Sequence, residues 1–181
     1  MELCRSIIKG CQKNDRKAQH ALYMLFASKM YGVCLRYYPN KDIANDILQD
    51  GFIKVFSNIR SFKFQGSIEG WIRRIMVNTA LEYHRKKKDS QEVDIENAYH
   101  YSSDGFTIES DYKLLLSIVA SLPKQYRLVF NLYAIEGYSH AEIAKELNIS
   151  ESTSKSNYSR ARAILKEKVI KAEKIIGYAA I

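Results

Sequence analysis

Large apolar residues recur every three or four positions through most of the chain, the spacing that gathers them on one side of an α-helix. Leu3, Ile7 and Ile8 mark a short first helix over residues 1–16. Leu22, Tyr23, Leu25, Phe26, Met30, Val33, Leu35 and Tyr37 predict a long, well-buried helix from 18 to 38, ended by Pro39. Asn40 or Asp42 can cap a third helix over 43–59, with Ile43, Ile47, Leu48, Phe52, Val55, Phe56 and Ile59 inward. A fourth, over 67–87, buries Ile72, Ile75, Met76 and Thr79 together with Trp71 and Tyr83. The period then stops: residues 89–105 are polar, with Tyr99 and Tyr101 as their only rings, and read as a flexible linker. Apolar spacing resumes at Thr107, which can cap a helix carrying Tyr112, Leu115, Leu116, Val119 and Leu122. Pro123, at a favoured first helical position, starts another with Tyr126, Val129, Phe130 and Tyr133 on its apolar side, and Gly137 closes the connection that follows. The pattern predicts an all-α fold of two helical domains, 1–88 and 107–181, joined by a linker over 89–106.

The clearest local signal lies between Tyr138 and Lys166 and predicts a helix-turn-helix. Ser139 and Glu142 have capping-box spacing, so each can satisfy a backbone N–H of the other at the start of a helix. That helix buries Ile143, Ala144 and Leu147 and stops at Asn148, a residue that tolerates the left-handed conformation of a helix end. Ser150 can cap a second helix with Ser154, Tyr158, Ala161 and Leu165 inward. Ser152, Lys155, Ser156, Ser159 and Arg160 then face outward, with the size and chemistry that read base edges in a major groove. Arg162 and Lys166 extend the positive charge toward phosphate. Beyond them, residues 169–181 can continue the helix and end in an apolar tail.

Charge narrows the partner. A formal net charge of +8 and a pI near 9.3 favour a polyanion, either nucleic acid or an anionic membrane surface. Cys4, Cys11 and Cys34 match no metal or redox spacing and read as reduced thiols. His20, His84, His100 and His140 are scattered, so no metal site is expected. Glu2, Arg5 and Lys9 interrupt any apolar run at the start, and no stretch has transmembrane length. A soluble cytoplasmic protein is therefore expected. Clustered carboxylates, a His/Cys set and a glycine-rich phosphate loop are all missing from the sequence, which argues against a catalytic or cofactor site.

Three further stretches carry surface chemistry. On the third helix Asp42, Asn45, Asp46, Gln49, Asp50 and Ile53 lie outward, an acidic stripe on a basic chain. It is either a solvated face or a surface for a basic protein partner. In the following loop Phe62 and Phe64 sit among Arg60, Lys63 and Gln65. Rings interleaved with cations suit unstacked bases, while the alternative is that the phenylalanines tuck into the core. On the fourth helix Arg74, Asn78, Leu81 and Arg85 form a line, joined by Arg73 and closed by the basic run Arg85–Lys88. Asn78, a good reader of base edges, tilts that face toward DNA.

Two blocks of sequence together resemble the extracytoplasmic-function (ECF) sigma factors, promoter-recognising subunits of bacterial RNA polymerase. Asp46-Ile47-Leu48-Gln49-Asp50-Gly51-Phe52, Trp71-Ile72-Arg73-Arg74-Ile75 and Asn78-Thr79-Ala80-Leu81-Glu82-Tyr83 with Arg85 resemble region 2. Leu122-Pro123, Glu142-Ile143-Ala144, Thr153-Ser154-Lys155-Ser156 and Ser159-Arg160-Ala161-Arg162 resemble region 4. The resemblance implies a non-enzymatic initiation factor that binds core polymerase, recognises promoters and opens the strands. It implies that Asp46, Gln49, Asp50 and Ile53 hold the coiled coil of the largest polymerase subunit, with a further contact at the polymerase flap. Phe62, Lys63, Phe64 and Gln65 would belong to the loop that captures a flipped base of the −10 element, and Arg73, Arg74, Asn78 and Arg85 to the helix lying against it. Ser152, Lys155, Ser156, Ser159, Arg160 and Arg162 would read the −35 element. An inhibitory anti-sigma partner is implied, and no small-molecule substrate. The chain departs from the family pattern at Ser152 (often glycine), Ser154 (commonly valine) and Asn157 (frequently arginine). Gly51, inside the polymerase-binding helix, costs about 1 kcal/mol relative to alanine unless packing compensates. A stand-alone DNA-binding regulator is the rival reading, and it leaves the acidic stripe unexplained.

Overall fold

Asn14 ends the first helix earlier than its apolar pattern suggests. In the computed structural model, which describes residues 2–89 and 110–178 (side chains over 4–87 and 114–172), α1 spans Glu2–Gln12. Asn14 then takes a left-handed φ of 61°, and the Asp15 carboxylate caps α2 (Arg16–Tyr37) by accepting from the Lys17 backbone at 2.8 Å. The chain divides into two compact units, Met1–Glu96 and Asn97–Ile181. The expected linker from residue 90 onward, with Tyr99, Tyr101 and Thr107, lies outside the described residues.

In the first unit Leu22, Phe26, Met30, Val33, Leu35 and Tyr37 of α2 are buried as expected. Leu25 is not: it is 52% exposed, because Leu22 and Phe26 already fill the side of the helix that meets its neighbours. Asn40, rather than Asp42, caps α3 (Lys41–Asn58), its side-chain oxygen accepting from the backbones of Asp42 at 2.9 Å and Ile43 at 3.0 Å. A 3-10 turn over Ile59–Ser61 leads through a loop to α4 (Ile68–Asp89). Gly51 explains itself here. A methyl group at that position would overlap the Met76 thioether of α4, with Cε only 2.9 Å away, so the missing side chain lets α3 and α4 approach closely. Lys54 ties the same helices by an ion pair to Glu82 at 2.6 Å and a hydrogen bond to the Thr79 hydroxyl at 3.2 Å.

The second unit comprises α5 (Ser110–Ala120), α6 (Lys124–Phe130), a π-helical turn over Asn131–Ile135, α7 (His140–Leu147) and α8 (Glu151–Tyr178). Pro123 sits one place earlier than expected, at the cap of α6 rather than its first helical position. Leu116, Leu122, Leu128, Val129, Leu132, Ile143, Leu147 and Ala161 form the core, whereas Leu115 points to solvent. A charged residue lies among them: Arg127 is buried, and its guanidinium donates to the carbonyls of Ala120 and Leu122, both at 2.9 Å. It thereby satisfies acceptors that the end of α5 would leave orphaned. Among the described residues no helix is long and apolar enough to cross a membrane, and no His, Cys, Asp and Glu cluster could hold a metal ion. Cys34 is buried, which pushes its thiol up to about 12, and burial followed by the Asp15 charge raises Cys11 as well.

Candidate nucleic-acid and partner interfaces

The second helix of the helix-turn-helix is presented by capping chemistry at each joint. The Ser139 hydroxyl and the Glu142 backbone meet at 3.2 Å, and the Glu142 carboxylate accepts from the Ser139 backbone at 2.8 Å, closing the capping box. The bond from the Ser139 backbone and then the one its hydroxyl donates to the same carboxylate at 2.7 Å hold the Glu142 carboxyl below its ordinary value. Asn148 takes φ 51°, ψ 58°, and the Ser150 hydroxyl accepts from the Thr153 backbone at 3.0 Å to start α8.

One unexpected contact ties α7 to α8. Ser154, fully buried, places its hydroxyl 2.9 Å from Nδ1 of His140. The imidazole in turn stacks on Tyr133 at 4.2 Å, and Tyr133 and Tyr158 lie 4.5 Å apart. The departure from valine at 154 is thus matched by a histidine one helix away, a pairing that only the folded chain makes visible. Asn157, the departure from arginine, is also buried, so this position faces the domain interior rather than a phosphate.

Ser152, Lys155, Ser156, Ser159, Arg160, Arg162 and Lys166 are all exposed on α8. Several are already engaged. Lys155 pairs with Glu151 at 2.7 Å, Arg160 donates to the Tyr126 hydroxyl at 3.4 Å, and the Arg162 guanidinium lies 5.8 Å from the Tyr158 ring centre. Ser152 joins the Ser150 cap through a hydroxyl contact of 2.8 Å. The face is therefore preformed, with long cations steered by neighbours on the same unit.

In the first unit, Asp42, Asn45, Asp46, Gln49, Asp50 and Ile53 all face solvent along α3. Ile53, 63% exposed, puts an apolar group at the end of an acidic stripe, the mixed character of a protein-docking surface. On α4 Arg74, Asn78 and Arg85 are exposed and Arg73 is half-buried. Leu81 does not belong to that line. It is buried, because a step of seven residues on a straight helix drifts toward the core side that Val77 and Ala80 also occupy.

The loop before α4 separates its two rings. Phe62 is only 5% exposed and packs against Trp71, with ring centres 5.6 Å apart, so it is a core residue with no face to offer a base. Phe64 is half-buried and holds a left-handed φ of 58°, while Lys63 and Gln65 are exposed. Two residues of α1, neither of which the sequence assigns to a site, reach this loop. Gln12 bonds its backbone carbonyls, and the Arg5 guanidinium lies 5.3 Å from the Phe64 ring centre. No periodicity or spacing could have flagged contacts across such sequence distances.

The arrangement of two helical units, one ending in a helix-turn-helix, has close relatives. The family models for Sigma-70 region 2 and Sigma-70, region 4 match residues 22–90 and 112–165. The ECF RNA polymerase sigma-E factor of Escherichia coli (strain K12) is 30% identical over 177 residues, covering 90% of this chain and 92% of the relative. The chain belongs to the ECF family of RNA polymerase sigma factors. The ECF RNA polymerase sigma-E factor of Haemophilus influenzae is 26% identical over 179 residues, covering 91% of this sigma factor and 94% of its own length. Among solved structures, the sigma factor RpoE in complex with the anti-sigma factor NepR from Bartonella quintana has the same fold. It shows a TM-score of 0.52 at 24% identity, with 83% of this chain and 95% of that one covered. CnrH in complex with the cytosolic domain of CnrY gives a TM-score of 0.50 at 19% identity, covering 93% and 97%. This sigma factor is accordingly a promoter-recognising transcription initiation factor, and region 2 and region 4 correspond to its first and second units.

Proposed function

We propose a division of labour among the exposed faces of this sigma factor. The acidic stripe of α3, through Asp46, Gln49, Asp50 and Ile53, docks on the coiled coil of the largest polymerase subunit. Arg73, Arg74, Asn78 and Arg85 lie along the −10 element, and Lys63, Phe64 and Gln65 receive an unstacked base there. Ser152, Lys155, Ser156, Ser159, Arg160 and Arg162 read the −35 element in the major groove. The observation that carries the reading is chemical: one small unit exposes an acidic stripe with an apolar end on α3 and a basic, amide-bearing line on the adjoining α4. Phosphate repels the first and attracts the second, so the two faces need different partners. Trapping an unstacked base biases the duplex toward the melted state, and the chemistry of RNA synthesis stays with the polymerase.

The protein works in the cytoplasm, and an anti-sigma protein holds it inactive. Support for that partner comes from RpoE of Bartonella quintana, captured in complex with the anti-sigma factor NepR.

Reconstitution with bacterial core polymerase tests the scheme. Asp46→Arg or Asp50→Arg should weaken binding to core enzyme by at least about tenfold, as like charges meet across the interface, while −35 duplex binding by the second unit is unchanged. Unaltered core affinity in both variants would remove α3 from the interface.

A further inference from the structure

The loop from Ile59 to Gly66 is shaped by a helix that lies outside the region 2 match, which begins at residue 22. The side-chain amide of Gln12, the last residue of α1, donates to the carbonyl of Ile59 at 3.1 Å and to that of Phe62 at 3.0 Å. Arg60 answers by donating its Nε to the Gln12 carbonyl at 3.1 Å. These bonds join residues 47 to 50 positions apart, so they add a hold from outside to the turn's own Phe62 N–H to Ile59 carbonyl bond at 3.1 Å.

Seven residues before Gln12, two helical turns back on the same side of α1, Arg5 lies over the ring of Phe64. Phe64 is the residue most in need of such support. Its φ of 58° lies where a bulky L-residue is strained by about 1–3 kcal/mol, and that conformation persists only when the surroundings impose it. Phe62, pinned on Trp71, anchors the loop on the inner side, and Gly66 at φ 89° releases the chain toward α4.

We infer that Gln12 and Arg5 are positioning residues for base capture: α1 sets the backbone of the loop and the attitude of the Phe64 ring. The inference rests on the role proposed above for Lys63, Phe64 and Gln65. A receiving loop held in one conformation avoids the ordering cost that a slack loop would meet each time a base enters. Gln12 supplies this by satisfying two carbonyls at the exit of α3 with one amide. Arg5 supplies it by holding a cation against the ring that faces the strand.

The test uses the full chain with core polymerase and a duplex promoter selected from random sequence by the wild-type holoenzyme. Gln12→Leu keeps the apolar stem and deletes both donors; Arg5→Ala removes the cation from an exposed position, and Arg5→Lys keeps it. Strand opening, read as permanganate reactivity of unpaired thymines, should fall about tenfold for Gln12→Leu and for Arg5→Ala, the size of losing one or two ordinary interactions. Arg5→Lys should open the promoter as wild type does. Core affinity and melting temperature should not change for Arg5→Ala, and a template already unpaired across the −10 element should restore most of the lost transcription. The inference is overturned if both variants open duplex promoter normally, or if opening falls only in step with core affinity and melting temperature. A wild-type holoenzyme that selects and opens no promoter would overturn the proposed function along with it.

Discussion

The second helix of the helix-turn-helix and the loop before α4, the two surfaces proposed above for nucleic acid, hold their side chains by opposite means. For α8 the determinants lie within a few residues of each joint: the Ser139–Glu142 box, left-handed Asn148 and the Ser150 cap. The loop has local determinants at its two ends, the 3-10 turn and left-handed Gly66, but contacts from distant helices hold what lies between. Its shape depends on Gln12 and Arg5 of α1 and on Trp71 of α4. A surface built locally tolerates change elsewhere in its unit, whereas one assembled from distant contacts fails whenever any contributor moves.

The largest expected effect falls on the assembled surface. Phe62→Ala should cost about 3–5 kcal/mol of first-unit stability in denaturant unfolding, because a fully packed ring is removed. Phe64→Ala should leave stability within about 1 kcal/mol, since its ring is partly exposed, while impairing promoter opening. Equal stability losses at the two positions would erase the distinction drawn between the rings. Gly51→Ala comes next: the new methyl displaces the buried Met76 thioether, for a loss of about 1–3 kcal/mol. The same change should leave −35 duplex binding untouched in an anisotropy titration.

In the second unit Ser154→Val leaves His140 without its hydroxyl partner and should cost about 1–2 kcal/mol, read as a lowered unfolding midpoint. A neutral or stabilising valine would mean that the ring stack alone carries the joint. The smallest effect concerns acid. Because the folded pKa of Glu142 is depressed, its contribution is fully present above the ordinary value of 4.5 and is lost as pH falls through the lower folded value. Glu142→Gln should therefore flatten the acid limb of a melting-temperature profile, by slightly lowering the neutral plateau while leaving the acid end unchanged.

These differences decide what the sequence discloses. Capping residues act on their immediate neighbours, so Ser139, Glu142, Asn148 and Ser150 announce the helix-turn-helix without any knowledge of the fold. The acidic stripe of α3 is readable for a similar reason, since the charged and amide positions recur at helical spacing on the side away from the apolar ones. Leu81 and Leu25 mislead because a helix is packed from more than one direction, and periodicity alone does not say which neighbours claim a given side. Phe62 and Phe64 are chemically identical in a loop, and only the position of Trp71 sorts one from the other. Arg127 looks like an ordinary surface cation until its guanidinium is seen closing the end of α5.

The pairing of Lys155 with Glu151 bears on the contact proposed between α8 and DNA. A lysine already neutralised by a carboxylate must exchange that anion for a phosphate or a base edge, and the displaced carboxylate then regains its own shell of sodium or potassium. Fewer ions are liberated than the number of cations on the helix would suggest, so the ionic-strength dependence of −35 binding should be shallower than a count of exposed Lys and Arg implies.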